Sequence, residues 1–388
     1  MKNIQNRKRS ILVISPFSIY DYNGGSLYTH QMVEALSEDF NVDVICLEQP
    51  KNDTNDKPNM TVEHYSGLIS RIPRYFYLLS KKPTYSYHYK RQKVLTLINQ
   101  YLSSKEYDLL ICCHRLTSWL ILNVNIAIRK IYIMQNDEAL SIRSMSQYYN
   151  NQIIKYLIKI EADKTDLLER SIIDRADKVI GISKNDFHTM GINSGEKFGV
   201  VSIARDEENI QKKGGIVTLV YIGNMEWKPK KLNIELFIQH VFIPLRDKYE
   251  LKLIVAGRGS TAIKSKFDLP DISYLERYDS ESSLFTEKSI VIVPEKQDGG
   301  LKIKTITSAS YGIPIVSTKQ GIEGTGLENG ESCMVANDFK EFIDRIDHLV
   351  KHPEEAILLG KRAKEIIKQN NNKQVIQKSW ISEISKVV

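Results

Sequence analysis

The stretch SIVIVPEKQDGGLKIKTITSASYGIPIVST, residues 289–318, contains the pattern that decides the fold. It begins with a short apolar run at 289–294, continues through a loop with two glycines and a helical segment, and ends with a second apolar run at 313–318. Short apolar runs bounded by turn residues are typical of buried strands, and a helix between two of them indicates a parallel βαβ unit. The stretch therefore predicts an α/β protein.

The loop between these two strands has the composition of an anion site. Gly299 and Gly300 allow the backbone to approach a ligand closely, and the helix is expected to begin near Leu301, which places Lys302 and Lys304 in its first turn. The start of a helix presents unpaired amide groups that attract negative charge. We predict that this loop binds a diphosphate, and a solvated lysine pair is the alternative.

The same alternation of short apolar runs and amphipathic helices extends along the rest of the chain. Further strands are predicted at residues 11–15, 42–47, 107–113, 130–134, 178–183, 216–223 and 251–257. A polar stretch with paired glycines, residues 204–215, divides the strands into two groups and is typical of a domain linker. We predict two Rossmann-like domains facing a cleft, with the boundary after residue 203.

The composition fits a globular protein with anionic partners. The chain has 388 residues, a formal net charge of +7 and 42% hydrophobic residues, and it is too long for one ordinary core. Positive charge suits nucleotide phosphates, acidic lipids or nucleic acid. Four cysteines without CxxC spacing disfavour a disulfide framework and a zinc site. No run approaches the length of a membrane span, so we expect a cytoplasmic protein. We also expect that the protein needs no metal.

Two glycine pairs stand at other strand ends. Gly24 and Gly25 follow the first predicted strand and precede a helix expected to begin at Ser26, so they either bring the backbone close to a ligand or form a tight turn. Gly257 and Gly259 imitate a dinucleotide-binding pattern, but no acidic residue is clearly placed about twenty residues further on. A glycine turn that closes the strand is the preferred interpretation of the second pair.

A basic cluster follows the predicted strand at 216–223. The sequence GNMEWKPKK places Asn224, Lys228 and Lys230 beyond the carboxyl end of this strand, the same edge of the sheet as the glycine loop. Cations pooled there would bind the charges of a nucleotide diphosphate. Surface solubility is the alternative for each lysine.

Two polar clusters follow strands of the first half. His114 comes directly after one strand and is a candidate acid, base or donor to a sugar hydroxyl, although a single histidine is often structural. Gln135, Asn136, Asp137 and Glu138 come directly after the next strand. We expect both clusters at the ligand-binding edge of the first domain.

The segment RIPRYFYLLSKKPTYSYHYKRQK, residues 71–93, has seven basic residues, six aromatic residues and no acidic residue. This mixture suits an anionic membrane surface, where rings lie at headgroup depth and cations meet lipid phosphate. A solvated helical face and single-stranded nucleic acid are the alternatives. No nucleic-acid-binding motif is found elsewhere, so we expect a peripheral membrane contact and no nucleic acid partner.

Taken together, these motifs resemble a bacterial glycosyltransferase of the GT-B type, specifically the large retaining family 4. The resemblance rests on the first glycine loop, on residues 160–186 and 221–237, and above all on the ordered motif of residues 291–324. It implies a nucleotide-sugar donor held by the C-terminal domain, residues 204–369, and an acceptor held by the N-terminal domain, residues 1–203. It also implies that a last helix, residues 370–388, returns to the first domain.

The resemblance assigns roles to individual residues. Lys302 and Lys304 correspond to the basic pair on the donor diphosphate, Gly299 and Gly300 to the loop that approaches it, and Gly24 with Gly25 to the opposing loop. At two places the sequence departs from the family. Thr307 replaces a glutamate that usually binds the nucleotide ribose, and Gln135 replaces a histidine near the transferred sugar.

The resulting hypothesis is sugar transfer from a nucleotide-diphosphate-sugar to a hydroxyl of a lipid-linked or cell-surface glycan, with retained configuration. Two alternatives remain. A GT-B protein that has lost key residues could bind nucleotide sugars without catalysis, and a GT-B epimerase could act on the sugar nucleotide itself.

Overall fold

The computed structural model describes residues 8–21, 23–50, 60–192, 195–210, 214–296 and 300–388. The chain divides into two compact units, one formed by Met1–Ile203 with Gln374–Val388 and the other by Ala204–Lys373. Each unit contains one parallel sheet. The prediction of two Rossmann-like α/β domains is therefore confirmed.

The first unit has a parallel sheet whose strand order, within the described residues, is β3-β2-β1-β4-β5-β6-β7. The strands are β1 (Ser10–Ser15), β2 (Asn41–Cys46), β3 (Met60–His64), β4 (Leu109–Cys113), β5 (Arg129–Met134), β6 (Lys178–Gly181) and β7 (Phe198–Val200). Every residue of β1 and β4 is buried. Because helices cover both faces of a parallel sheet, its central strands are apolar throughout, as the sequence predicts here.

Helices of the first unit connect these strands. They are α1 (Gly24–Leu36), α2 (Arg91–Ser104), α3 (Arg115–Ser118), α4 (Leu120–Asn123), α5 (Glu138–Ser144), α6 (Gln152–Arg175) and α7 (Lys184–Thr189). Short 3-10 turns occupy Arg74–Tyr77, Thr84–Tyr87 and Met145–Tyr148. One core cluster of the unit includes Leu12, Ile14, Leu110 and Tyr132 of the central strands.

The second unit repeats the arrangement with strand order β10-β9-β8-β11-β12-β13. Its described strands, all parallel, are β8 (Val217–Ile222), β9 (Leu251–Ala256), β10 (Ile272–Leu275), β11 (Ser289–Val293), β12 (Ile315–Ser317) and β13 (Met334–Val335). In this order the chain reverses direction across the sheet between β8 and β11. Ligands of open parallel sheets bind at such a reversal, beyond the carboxyl ends of the strands.

The helices of the second unit are α8 (Lys228–Phe237), α9 (Ile243–Arg246), α10 (Thr261–Lys264), α11 (Ile303–Ser310), α12 (Lys319–Ile322), α13 (Phe339–Lys351) and α14 (Pro353–Asn371). A π-helical turn at Ile238–Phe242 joins α8 to α9. The elements β11, α11 and β12 lie within residues 289–318.

The last helix, α15 (Lys373–Ser385), packs on the first unit, to which residues from Gln374 onward belong. Trp380 is fully buried with its ring centroid 5.2 Å from that of Tyr28, and Glu383 Oε2 lies 2.8 Å from Lys178 Nζ. The second unit extends to Lys373 rather than to residue 369.

Candidate functional site

In the second unit, the candidate anion site lies where β11 leads into α11. Residues 297–299, including the predicted Gly299, lie outside the described part of the chain. Gly300 has φ +66°, a left-handed conformation that favours glycine. The helix begins at Ile303, two residues later than expected, and Lys302 takes the N-cap position. Lys304 therefore lies in the first helical turn, as predicted.

Lys304 is held by a carboxylate that the sequence analysis did not single out. Its Nζ donates a hydrogen bond to Oε1 of Glu295, whose side chain has no exposed surface, while the Lys304 side chain is 9% exposed. The hydroxyl of Tyr221 donates to the same oxygen at 3.4 Å, and the ammonium lies 4.1 Å from the centroid of the Tyr221 ring. The lysine is thus fixed in place instead of extending into solvent.

The environment of Lys304 disfavours its charged form. Burial lowers its pKa from the usual 10.5 to about 8; Glu295 opposes this shift, and the charges of Lys230 and Lys302 add to it. An anion that binds nearby would stabilise the protonated form of Lys304, because negative charge raises the pKa of an ammonium group. Glu295 Oε2 has no hydrogen-bond partner among the described residues.

Two other lysines, Lys302 and Lys230, lie near the Lys304–Glu295 pair on neighbouring elements. Lys302 is half-buried and its Nζ donates to the Gly300 carbonyl at 3.3 Å. Lys230 lies in the first turn of α8, and its carbonyl accepts the Tyr221 hydroxyl at 3.3 Å. The carboxyl-terminal edge of the sheet thus brings together the charges of Lys230, Lys302 and Lys304, as the sequence predicts for three of the basic residues.

Two other predicted donor-binding residues lie at the edge of this cluster. Asn224 is exposed, and its Oδ1 accepts the amide of Glu226 at 3.0 Å, which stabilises the turn before α8. Lys228 is exposed at the start of α8, two residues beyond Glu226. Neither contacts the Lys304–Glu295 pair in the contacts described, so their donor-binding role stays a prediction.

Thr307, predicted to contact a ribose, is buried in α11 and is 4% exposed. Its Oγ1 accepts a hydrogen bond from Nε of Arg205 at 3.0 Å, and Nη2 of Arg205 lies 4.0 Å from Oε1 of Glu281. At the position where the family that the sequence resembles has a glutamate, this chain has Thr307, whose hydroxyl is bound to the Arg205 guanidinium. Arg205 was not predicted, because it lies far from Thr307 along the chain.

The glycine pattern after β9 is a turn. Gly257 and Gly259 both have positive φ, and the carboxylate of Glu276 accepts the amides of Gly259 at 2.8 Å and Thr261 at 2.9 Å. A carboxylate therefore occupies the amides that a phosphate would need.

In the first unit, the loop after β1 places Gly24 and Gly25 beside Gln135. The helix α1 begins at Gly24 rather than at Ser26, because Asn23 is the N-cap and its Oδ1 accepts the amide of Ser26 at 2.9 Å. Gln135 Nε2 donates to the Gly25 carbonyl at 3.4 Å. A Cβ on Gly25 would lie 2.8 Å from Gln135 Oε1, so the glycine permits this close approach.

His114 adopts an unusual backbone conformation at the end of β4. Its φ is +68° and its ψ is 156°, and among the described residues it is the only non-glycine residue with positive φ. Nδ1 accepts the amide of Leu116 at 3.3 Å, and the ring lies 5.6 Å from the ring of Phe17. Burial lowers the pKa of His114 to about 4, although Glu138 opposes the shift. The imidazole is thus neutral near pH 7 and can accept or donate a hydrogen bond.

The acidic residues after Gln135 have structural roles. Asp137 is the N-cap of α5 and accepts the amide of Leu140 at 2.8 Å, while Glu138 is buried and accepts Nη1 of Arg115 at 2.5 Å. Of this predicted cluster, Gln135 is the residue that meets the glycine loop.

Both the sequence and the fold are similar to those of known proteins. Residues 216–352 match the family described as Glycosyl transferases group 1. A sucrose-phosphate synthase from Thermosynechococcus elongatus is 14% identical and superposes with a TM-score of 0.76 over 98% of this chain and 99% of that one. Anabaena HepE, in complex with UDP and glucose, is 13% identical with a TM-score of 0.67 over 97% and 99% of the two chains.

The domain match and the fold identify a glycosyltransferase of the GT-B type. The family match lies within the second unit, which contains the lysine cluster. A relative from Klebsiella pneumoniae, an uncharacterized 44.6 kDa protein in the cps region, is 23% identical over 266 residues, which is 64% of this chain and 67% of that protein.

Within the described residues, no three His, Cys, Asp or Glu side chains are grouped in a way that could hold a metal ion. Likewise, none of the helices in the described part of the chain is long and apolar enough to cross a bilayer.

Proposed function

We propose that this glycosyltransferase moves a sugar from a nucleotide-diphosphate-sugar to a hydroxyl of a lipid-linked or cell-surface glycan, with retention as in family 4, during synthesis of a capsule, O-antigen or related polysaccharide. The cps-region relative supports the pathway class, and the UDP complex of HepE, which has the same fold, supports the donor class. The protein acts at the inner face of the cell membrane in this proposal and needs no metal.

The observation that carries the proposal is the lysine cluster at the start of α11. During transfer, the diphosphate leaves the anomeric carbon and negative charge grows on its oxygens. Fixed cations and amide donors at that point stabilise the transition state more than the ground state. Lys302 and Lys304, with Lys230 beside them, supply the charge, and the positive end of the α11 helix dipole adds to it.

The residues of the first unit serve the sugar and the acceptor in this proposal. His114, with a neutral ring, and Gln135, held against the glycine loop, offer hydrogen-bonding groups at the carboxyl ends of β4 and β5. Groups of this type orient hydroxyls and so reduce the entropy cost of reaching the transition state. A neutral glutamine can contact a sugar as the family's histidine does, but it cannot become charged.

A panel of nucleoside diphosphates and nucleotide sugars tests the proposal. We expect one base to raise the melting temperature in proportion to the logarithm of ligand excess, and its sugar nucleotide to be slowly hydrolysed or transferred. Lys302→Ala should remove turnover, whereas Lys340→Ala, an exposed lysine of α13, should not. Binding without turnover would favour the non-catalytic alternative, and interconversion of two sugar nucleotides would favour the epimerase.

A further inference from the structure

Exposed large apolar side chains are concentrated in one part of the first unit. Half of the fourteen found among the described residues lie in residues 69–79 and at the start of α6. These seven, which we call the apolar face, are Ile69, Ile72, Phe76, Leu79, Ile153, Tyr156 and Leu157. Leu79 is 100% exposed, Ile153 70% and Phe76 66%. A contiguous patch of this kind marks an interaction surface, whereas scattered exposed residues do not.

Two contacts join α6 to residues 78 and 84, at the end of the first segment of the apolar face. Lys164 Nζ, in α6, donates to the Leu78 carbonyl at 2.6 Å, and Thr84 Oγ1 donates to Glu161 Oε1 at 2.6 Å. Because α6 begins at Gln152, its exposed start extends about 13 Å beyond Glu161 at the usual helical rise. Ile153 and Leu157 precede Glu161 at helical spacing and share its side of α6, so they continue the surface that Glu161 forms with residues 78–84.

The two segments that carry the apolar face are basic. Residues 65–90 contain five Lys or Arg and residues 152–160 contain two, and neither segment contains Asp or Glu. This excess of seven equals the formal net charge of the whole chain, +7. The nearest following acidic residues of α6 are engaged, since Glu161 binds Thr84 and Asp163 lies 3.1 Å from Arg143.

The aromatic residues of the basic segment are only partly available. Tyr85 and Tyr89 are 5% and 3% exposed, and the rings of Tyr77 and Tyr87 stack on each other at 3.9 Å. Stacking of successive bases needs several open rings, so these contacts disfavour single-stranded nucleic acid. Aliphatic side chains, which predominate on the exposed surface, suit the acyl region of a bilayer.

We propose that the apolar face, with the lysines and arginines around it, docks on the surface of an anionic lipid bilayer. The proposal deepens the proposed function, since it rests on an acceptor held by a membrane lipid. Apolar side chains would enter the headgroup boundary while Arg71, Lys81 and Lys82 meet lipid phosphate. A cavity of about 220 Å³ is lined by Ile69 and Ile72 of the apolar face together with Arg71 and His88.

Vesicle binding by the full-length protein tests the proposal. The protein should sediment with vesicles of phosphatidylcholine and phosphatidylglycerol but weakly with phosphatidylcholine alone. Roughly 1 M salt, where charges are screened beyond about 3 Å, should release most of it. Lys81→Ser with Lys82→Ser should weaken binding on the order of tenfold, because each cation near an anionic surface contributes appreciably. Lys340→Ser with Lys361→Ser removes the same charge from the second unit and should have little effect.

The apolar contribution has its own matched pair. Phe76→Ser with Leu79→Ser should weaken vesicle binding about tenfold or more, while Ile357→Ser with Leu358→Ser, exposed residues of α14, should not. Melting temperatures and nucleoside diphosphate binding should be unchanged in both, so loss of docking is distinguishable from failure of the donor site.

The proposal would be overturned if the protein bound phosphatidylcholine vesicles as well as anionic ones. It would also be overturned if either variant of the docking surface weakened vesicle binding no more than its control in the second unit, or if the protein bound oligouridylate but not anionic vesicles.

Discussion

Lys304 and Glu295 form a hydrogen-bonded ion pair that is almost completely buried at the carboxyl end of the second sheet. A buried pair of this kind is weak evidence for stability, because the cost of removing both charges from water offsets their attraction. Its position at the start of α11, beside Lys302 and Lys230, instead favours a role in binding the donor diphosphate. Glu295 then serves to hold the ammonium in place.

Two variants of the Lys304–Glu295 pair separate its effect on folding stability from its effect on donor binding. Glu295→Gln leaves the buried ammonium without its counter-charge, and a loss of about 3–5 kcal/mol in the free energy of unfolding is expected. Glu295→Gln combined with Lys304→Met removes both charges and should restore most of that stability, but not nucleoside diphosphate binding. Urea denaturation and calorimetric titration of the two variants measure these effects. Recovery of binding in the double variant would contradict the assignment of Lys304.

Donor affinity should depend on pH through Lys304. Its pKa of about 8 means that the ammonium is charged below pH 8 and loses its proton as pH rises through this value. Because the diphosphate needs the charged form, its dissociation constant should increase above pH 8, and binding there should be accompanied by proton uptake. Titrations in buffers of different ionisation enthalpy measure that uptake. A wild-type affinity that is flat across pH 8 would argue against the cationic role.

His114 occupies a backbone region that is essentially restricted to glycine, and such strain costs on the order of 1–3 kcal/mol. His114→Gly should therefore be about 1 kcal/mol more stable than His114→Ala, which keeps the strain. Both variants should lose transfer activity, because both lack the imidazole. Chemical denaturation and turnover assays check the two expectations. Full activity in either variant would remove His114 from the site.

Gly25 and Gln135 should behave as a coupled pair. Gly25→Ala brings a Cβ within 2.8 Å of Gln135 Oε1, so the amide must shift from its position at the glycine loop. We expect reduced turnover with little change in melting temperature, since only the end of a flexible side chain moves. Adding Gln135→Ala to Gly25→Ala should cause no further loss, a non-additivity that a double-mutant cycle measures. Simple additivity would show that the two residues act separately.

Much of the fold could be predicted from the sequence, because buried parallel strands are continuous apolar runs and helices lie between them. The runs at 11–15, 107–113 and 289–294 correspond to β1, β4 and β11, with ends that differ by a few residues. The start of α11 was misplaced by two residues. Capping depends on local geometry, and here a lysine without a side-chain cap bond precedes the helix.

The candidate site was less accessible to sequence reasoning. Lys302 and Lys304 were found because glycines and lysines before a helix have a direct physical meaning, and Glu295 carried a weaker signal as a carboxylate directly after a strand and Pro294. Arg205 could not be found, since its contact with Thr307 joins residues a hundred positions apart. The exposed start of α6 was missed because Gln152 lies 59 residues beyond the end of the basic segment, residues 71–93.

Calorimetric titration of the preferred nucleoside diphosphate, compared with its nucleoside, tests the central claim that the lysine cluster of the second unit binds the pyrophosphate. The wild-type protein should bind the diphosphate far more tightly, and Lys230→Ser with Lys302→Ser should weaken that binding about a hundredfold or more, since each charge-assisted hydrogen bond contributes about 1.5–3 kcal/mol. Lys340→Ser with Lys361→Ser should bind like the wild type. Equal dissociation constants for the wild type and the Lys230/Lys302 variant would contradict the claim.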